Sequence, residues 1–223
     1  MSYETWSAVE AYFEGQLIAA DPALEAALAA SAAAGLPSIQ VSASQGKLLH
    51  LLALTQGARR ILEIGTLGGY SALWLARALP SDGHLVTLER EPRHAEIARQ
   101  NFERAGLTKR IKLHVGPALD TLGRWRVPPM AAFDFFFIDA DKPNNLAYVQ
   151  AALALSRPGS LIVVDNVVRD GAVVARRGGA AAEELRRMTE WIARERRLTA
   201  TAIQTVGAKG YDGFLLARVQ AGT

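Results

Sequence analysis

Residues 61–76 read ILEIGTLGGYSALWLA, a short aliphatic run, a cluster of glycines and then an apolar run at helical spacing. A strand that turns on glycine straight into a helix leaves the first N–H groups of that helix free to meet a ligand. Gly65, Gly68 and Gly69 permit the sharp bend and the close backbone approach that such a turn needs. Open α/β sheets bind ligands beyond the carboxyl ends of their strands, which is where this turn falls. A glycine turn with a purely structural role is the competing reading.

Outward from this stretch, short β-rich runs alternate with amphipathic ones. HLVTLE (84–89) precedes PRHAEIARQNFERAG (92–106), RIKLHV (110–115) follows, and FDFFFID (133–139) precedes NLAYVQAALALS (145–156) and then SLIVVD (160–165). Such alternation predicts parallel strands joined by crossover helices. FDFFFID and SLIVVD are almost continuously apolar, as strands are when helices cover both faces of a sheet. A further helix is expected near Ala181–Arg196, then strands at TATAIQTV (199–206) and GFLLARV (213–219). The segment Gly207–Gly213 between them is too short for a helical crossover, so the pair forms an antiparallel hairpin.

The first 57 residues read as three helices: Ser2 to about Gly15, Pro22 to about Ala34, and Ser42 to about Gln56. Asp21-Pro22 is a capping side chain followed by proline at the first helical position, and Gly35-Leu36-Pro37 is a stop. The expected fold class is α/β: a doubly wound sheet with an antiparallel C-terminal hairpin and an N-terminal helical extension. One domain spans 1–223, with 1–57 as a helical cap or dimerisation region and 58–223 as the ligand-binding core.

Composition narrows the class. Half of the 223 residues are apolar, 21% are charged and the formal charge is +3, as in an ordinary soluble domain. The pI is near 9.4, but the arginines lie in scattered clusters, Arg176-Arg177, Arg186-Arg187 and Arg194–Arg197. These read as solvated helix faces rather than a nucleic-acid stripe. The absence of cysteine excludes disulfides, thiolate zinc sites and cysteine nucleophiles. MSYETWSAVEAYFEG has no signal-peptide pattern, and no run approaches the roughly 18 apolar residues of a spanning helix, so a cytoplasmic location and no membrane partner are expected.

The glycine spacing does not fit a dinucleotide fingerprint, because Leu67 stands where G-x-G-x-x-G wants its second glycine. Glu89, at the end of HLVTLE, can accept both hydroxyls of a ribose, in NAD and adenosylmethionine sites alike. Glu63 is a charge inside an apolar strand end, where an unpaired carboxylate is costly. It suits the cationic methionine end of adenosylmethionine better than two phosphates; a cap or salt bridge is the alternative. Two neighbouring strands then end in acid: Asp139 closes FDFFFID with Asp141 and Lys142 following, and Asp165-Asn166 closes SLIVVD. If both strands are parallel, Asp139, Asp165 and Asn166 converge on one rim, three hard oxygen donors suited to Mg2+, and also to Mn2+ or Ca2+. Strand-end acids also serve as helix caps. Lys142, beside such a cation, can lose its proton and become a general base; by itself it would read as a solvated surface lysine.

Taken together these residues resemble the cation-dependent O-methyltransferase family that includes caffeoyl-CoA and catechol O-methyltransferases and many bacterial relatives. The likeness runs from SASQGKLLHLLA (42–53) to DGFLLARV (212–219), and its diagnostic runs are LEIGTLGGYSALWLA, FFFIDADKPNNLAYV and RPGSLIVVDNVVRDGAVV. The resemblance implies the class I methyltransferase sheet, Rossmann-like and seven-stranded. It also implies S-adenosylmethionine as cofactor, a small hydroxyl acceptor of catechol type, and a homodimer. By resemblance the metal ligands are Asp139, Asp165 and Asn166, and the catalytic pair is Lys142 with Asp139. The cofactor contacts are Val41, Glu63, Gly65, Thr66, Ser71, Glu89, Ala118 and Asp141, with Gly116-Pro117-Ala118 bordering the adenine. Val41 replaces a polar residue, leaving a backbone contact at most. Arg169 and Asp170 replace a tryptophan and an asparagine that stand near the substrate in plant caffeoyl-CoA enzymes, which puts Asp170 at the acceptor and leaves the acceptor's identity open.

Three other readings compete: a tRNA-hydroxyl methyltransferase of the same family, a NAD-dependent dehydrogenase disfavoured by Leu67, and a non-enzymatic adenosylmethionine binder disfavoured by the acid–lysine set. Strongly salt-dependent tRNA binding would mark the first.

Overall fold

The computed structural model describes residues 2–125, 132–175 and 178–221; the Arg176-Arg177 pair lies outside the described residues. Three helices come first, α1 (Tyr3–Leu17), α2 (Pro22–Ala33) and α3 (Ala43–Gln56). Then follow β1 (Arg60–Ile64), α4 (Tyr70–Arg77), β2 (His84–Glu89), α5 (Pro92–Arg104), β3 (Ile111–Val115), α6 (Ala118–Trp125) and β4 (Phe133–Ile138). The chain continues through α7 (Asn145–Ala154), β5 (Ser156–Asp165), α8 (Gly179–Arg194), β6 (Leu198–Gly207) and β7 (Gly210–Val219). The strands form one seven-stranded sheet in the order β3-β2-β1-β4-β5-β7-β6. All pairings are parallel except β5–β7 and β6–β7. The expected doubly wound sheet, hairpin edge and helical extension are all present.

Local chemistry sets the boundaries. The Asp21 carboxylate accepts the N–H groups of Ala23 and Leu24 ahead of Pro22, and Ser42 accepts the N–H of Gln45, so α2 and α3 start where capping side chains stand. Gly57, at φ +63°, ends α3 in the left-handed conformation. Three features depart most from the sequence reading. The hairpin turn is tighter than Gly207–Gly213, since Gly207 pairs with Gly210 and both strands run almost to the tip. β5 begins at Ser156 rather than Ser160, because Arg157-Pro158-Gly159 is carried as an irregularity: Phe133 pairs with Ser156 but Phe135 pairs with Leu161. Helix α6 has no counterpart among the expected elements.

β4 is buried along its whole length and divides the core in two. Phe136 and Ile138 pack with Leu62, Ile64 and Val164 beneath α7 and α8. Phe135 and Phe137 pack with Ile61, Leu85 and Val163 beneath α3, α4 and α5. This is the period-two alternation of a strand covered on both faces. Asp134 is the exception inside this strand, and it ties three segments together. It accepts the backbone N–H groups of Arg59 and Arg60 and the guanidinium of Arg157. Burial opposes its charge, but those donors prevail and hold its carboxyl below the usual range. Asp134→Ala is expected to destabilise the fold by about 3 kcal/mol, because buried donors lose their acceptor. The wild-type contribution is present above the ordinary carboxylate pKa and is lost as pH falls through the depressed one. Urea unfolding of both proteins at pH 7 and pH 3 reads both effects.

The N-terminal helices divide their work. α1 holds the hairpin tip: Tyr3 donates to the carbonyl of Ala208, and Glu10 accepts the Ala208 N–H. Glu14 also accepts the N–H of Ser44 at the start of α3. α2 and the segment after it approach the glycine turn. Along α3, Leu49 is buried in the core while Leu54 is exposed. Three arginines of the described clusters are engaged locally. Arg186 donates to the carbonyls of Val173 and Ala175, Arg187 pairs with Glu184, and Arg197 pairs with Glu195. Among the described residues no helix is long and apolar enough to cross a membrane.

Candidate active site

Strand register builds the site before any side chain is considered. Ile64 pairs with Leu88 on one side and Ile138 on the other, and Ile138 pairs with Val164. The next residue on each strand therefore falls in one row across the carboxyl rim: Glu89, Gly65, Asp139, Asp165. At the ordinary strand spacing this row is roughly 14 Å long. Gly65 has no alternative in it. Its φ is +96°, and a Cβ there would lie 2.0 Å from the Asp139 carbonyl oxygen.

At one end of the row the glycine turn folds around two carboxylates. Thr66 and Leu67 donate their N–H groups to Glu89 Oε2 at 3.1 and 2.7 Å, and Glu91 N–H donates to Oε1 at 2.9 Å. Asn101 on α5 ties the turn down by donating to the Gly68 carbonyl. Glu63 lies below, fully buried, with Ser71 and Thr87 hydroxyls donating to its two oxygens at 2.6 Å each. Desolvation pushes its carboxyl up to about 8 against those two hydrogen bonds, helped by the charges of Asp139 and Glu89.

At the other end stand the acids of β4 and β5. Lys142 begins a single 3-10 turn, Lys142–Asn144, and its Nζ donates to Asp139 Oδ1 at 3.1 Å and to the Asp165 carbonyl at 3.4 Å. Asp165 is 4% exposed, and its Oδ1 accepts the Asn166 N–H at 2.8 Å. Burial, then the Asp139 charge, push its carboxyl up to about 7, with Lys142, the Asn166 N–H and Gln45 opposing. Asn166 is left-handed at φ +57°, which turns the chain sharply off the strand. Lys142 thus touches the Asp139 side chain at one strand tip and the Asp165 backbone at the other. Among the described residues, no three His, Cys, Asp or Glu side chains cluster as a metal site; this set has two carboxylates and the Asn166 amide.

A cavity of about 680 Å³ overlies the row, within the range of small-ligand sites. Val41, Gly65, Thr66, Ser71, Glu89, Ala118 and Asp141 all line it, as do Asp139, Lys142 and Asn166. Glu63 does not; it sits behind Ser71 and acts on the cavity through that hydroxyl. Asp165 underlies the rim. Asp170 is exposed in the turn after β5 and is not part of the wall, whereas its neighbour Arg169 is. The sequence reading missed Tyr148, Asn144 and His94. Tyr148 and Asn144 donate to the two oxygens of Asp141, and the tyrosine hydroxyl is pushed up by burial and by that carboxylate. Tyr148 follows Asp141 by seven residues, so nothing but the fold signals the pairing.

The geometry is that of a cavity running across strand tips, with buried carboxylates at both ends and one lysine at the acidic end. A family profile described as O-methyltransferase matches residues 17–219. The catechol O-methyltransferase of Mycobacterium tuberculosis is 55% identical over 214 residues, 95% of each chain. Among solved structures, an O-methyltransferase from Bacillus cereus in complex with SAH aligns with a TM-score of 0.95 and 53% identity, covering 98% of this chain and 100% of that one. The O-methyltransferase TomG from Streptomyces achromogenes, involved in tomaymycin synthesis and solved with SAM, aligns at 0.95 and 51% identity, covering 99% and 100%. With this agreement along nearly its whole length, the chain belongs to the O-methyltransferase family and is an enzyme.

Proposed function

We propose that the protein moves the methyl group of S-adenosylmethionine to one hydroxyl of a small vicinal aromatic diol, with a divalent cation at the acidic end of the site. The observation that carries this reading is the meeting of Asp139, Asp165 and Lys142 on the cavity rim, beside the glycine turn. The donor set fits a hard cation: two oxygen acids that repel one another face a single ammonium, and an amide oxygen stands next in sequence. Asp139, Asp165 and Asn166 would hold Mg2+, with Mn2+ or Ca2+ as alternatives. When bound, the cation would make the acceptor hydroxyl more acidic, and the cofactor would supply an electrophilic methyl group.

The chain's own residues do the rest. Lys142 Nζ has two hydrogen-bond acceptors in Asp139 and the Asp165 carbonyl, so as a neutral amine it keeps one lone pair to receive the hydroxyl proton, and Asp139 then stabilises the ammonium. Glu89 holds the ribose, Pro117 and Ala118 border the adenine, and Ser71, backed by Glu63, faces the methionine portion. The fixed row from Glu89 to Asp165 sets the distance between the cofactor and the acceptor oxygen, and positioning of this kind supplies much of an enzyme's rate. Asp170 lies next to this end of the cavity as a candidate for acceptor contact.

The test is methyl transfer from labelled S-adenosylmethionine to a panel of catechols, with and without EDTA and with Mg2+ restored. Turnover should fall at least a hundredfold with EDTA and return with Mg2+; activity indifferent to EDTA removes the cation from the reading. A homodimer is supported by exposed apolar side chains on α1 and α3, Tyr12, Phe13, Leu17 and Leu51 among them. A monomeric mass by light scattering at micromolar concentration would overturn that assembly.

A further inference from the structure

Among the described residues, the basic side chains that line the cavity lie beside carboxylates, with one exception. Lys142 pairs with Asp139 at 3.1 Å, Arg90 lies 3.6 Å from Glu91, and His94 lies 3.7 Å from Glu89. Arg169 lines the same cavity, and among the described residues its guanidinium has no acidic partner and no hydrogen bond. The residues outside the description include no aspartate or glutamate.

The backbone that carries Arg169 is strained. Arg169 and Asp170 are both left-handed, at φ +52° each, just after Asn166 at +57°. Side-chain-bearing residues adopt this conformation at a cost of order 1 kcal/mol or more, and runs of it persist only where the surroundings enforce them. Here the enforcement is visible: Asp212 Oδ1 accepts the N–H groups of Val168 and Arg169 at 3.0 and 2.9 Å, and the Asp170 N–H donates to the Tyr211 carbonyl. The β7 strand thus pins a strained turn that brings an unmatched cation to the wall three residues beyond Asn166. The cavity's other lining is largely apolar, with Leu28, Ile39, Val41 and Tyr70 suited to an aromatic ring.

Resting on the proposed methyl transfer, we propose that the preferred acceptor is a vicinal aromatic diol bearing a carboxylate, and that Arg169 is the specificity residue that receives it. A guanidinium accepts a planar carboxylate through two parallel N–H donors, which a lysine or a neutral side chain does not reproduce. The diol end is placed at Asp139, Asp165 and Lys142, and the acceptor's carboxylate, carried on the far side of the ring, is placed at the arginine.

The experiment compares kcat/KM for 3,4-dihydroxybenzoate and for neutral catechol, in the wild type and in Arg169→Gln and Arg169→Lys, with the KM for S-adenosylmethionine measured in each. The wild type should favour the carboxylate-bearing diol, and the preference should weaken as salt is raised. Arg169→Gln should reduce the ratio of the two kcat/KM values about tenfold, as expected for a partly exposed charge-assisted contact, chiefly through KM. Arg169→Lys should recover part of it. A strained turn that merely folds better or worse would change both acceptors alike and leave the ratio where it was. An unchanged ratio overturns the proposal, as does a wild type with no preference, or a loss confined to the S-adenosylmethionine KM. If the wild type methylates neither compound, it is the methyl-transfer reading that fails.

Discussion

Asp165→Ala is expected to lower kcat by about a thousandfold or more while the protein still folds and still binds S-adenosylmethionine. The expectation follows from the division of labour at the strand tips. Lys142 is held by the Asp139 side chain and by the backbone carbonyl of Asp165, and the substitution leaves both in place. Only the Asp165 carboxylate disappears, and with it one of two acids available to a cation whose contribution to transition-state stabilisation is several kcal/mol. Asp139→Ala is the less informative change, since it also releases the lysine. Folding should not suffer, because the Asp165 carboxylate is desolvated and lies beside the Asp139 charge, and its removal relieves both costs. Single-turnover methyl transfer and calorimetric titration with cofactor separate the two effects. A variant that keeps turnover within tenfold of the wild type would sink the cation reading.

Glu63→Gln is expected to separate stability from binding in the opposite direction. Glu63 is held near a pKa of about 8 from an ordinary 4.5, so the folded protein keeps a proton that the unfolded chain releases. For an acid whose folded pKa is raised, stability is greatest below pH 4.5, falls as pH rises from there to about 8, and is level beyond. The ceiling of that loss is on the order of 5 kcal/mol. Glutamine keeps the shape and removes the ionisation, so the ligand-free variant should melt several degrees above the wild type at pH 8 and match it more closely at pH 5. Binding should move the other way. A cationic cofactor favours the ionised carboxylate, so wild-type affinity for S-adenosylmethionine should rise between pH 6 and 8. The variant's affinity should be flat over this range and about tenfold or more weaker at pH 8. S-adenosylhomocysteine, without the sulfonium charge, should show a shallower dependence. Parallel pH profiles for wild type and variant would show that Glu63 does not sense the ligand.

Much of this architecture is legible in the sequence because its signals are local. The strand tips at Glu89, Gly65, Asp139 and Asp165 each stand where an apolar run ends, and a parallel sheet brings such ends to one rim. The Asp21 and Ser42 caps are likewise complete within a few residues. What escaped depends on contacts that no local pattern encodes. The eight residues of α6 are too few for a helical period to emerge after Gly116-Pro117. Arg157-Pro158-Gly159 looks like a break, and only the irregular pairing of β4 with β5 shows that a strand can carry it. Glu63 invites a direct ligand contact on chemical grounds, yet Ser71 and Thr87, on different elements, enclose it. Tyr148 reaches Asp141 only because a 3-10 turn sets the start of α7 beside it, and the partnerless state of Arg169 is a property of everything around it.

The position of β7 between β5 and β6 bears on how the molecule is made. β5 carries Asp165 and Asn166 at its tip, and β7 covers the edge that β4 leaves open. During synthesis, the polypeptide through β5 already contains the glycine turn and both acids. It nevertheless exposes a long apolar strand edge until β7 has left the ribosome and slotted in. A nascent chain paused between these two strands would offer that edge to any other unpaired strand nearby. Docking of β7 therefore closes the sheet edge beside Asp165 and Asn166 only after every residue of the rim has been synthesised.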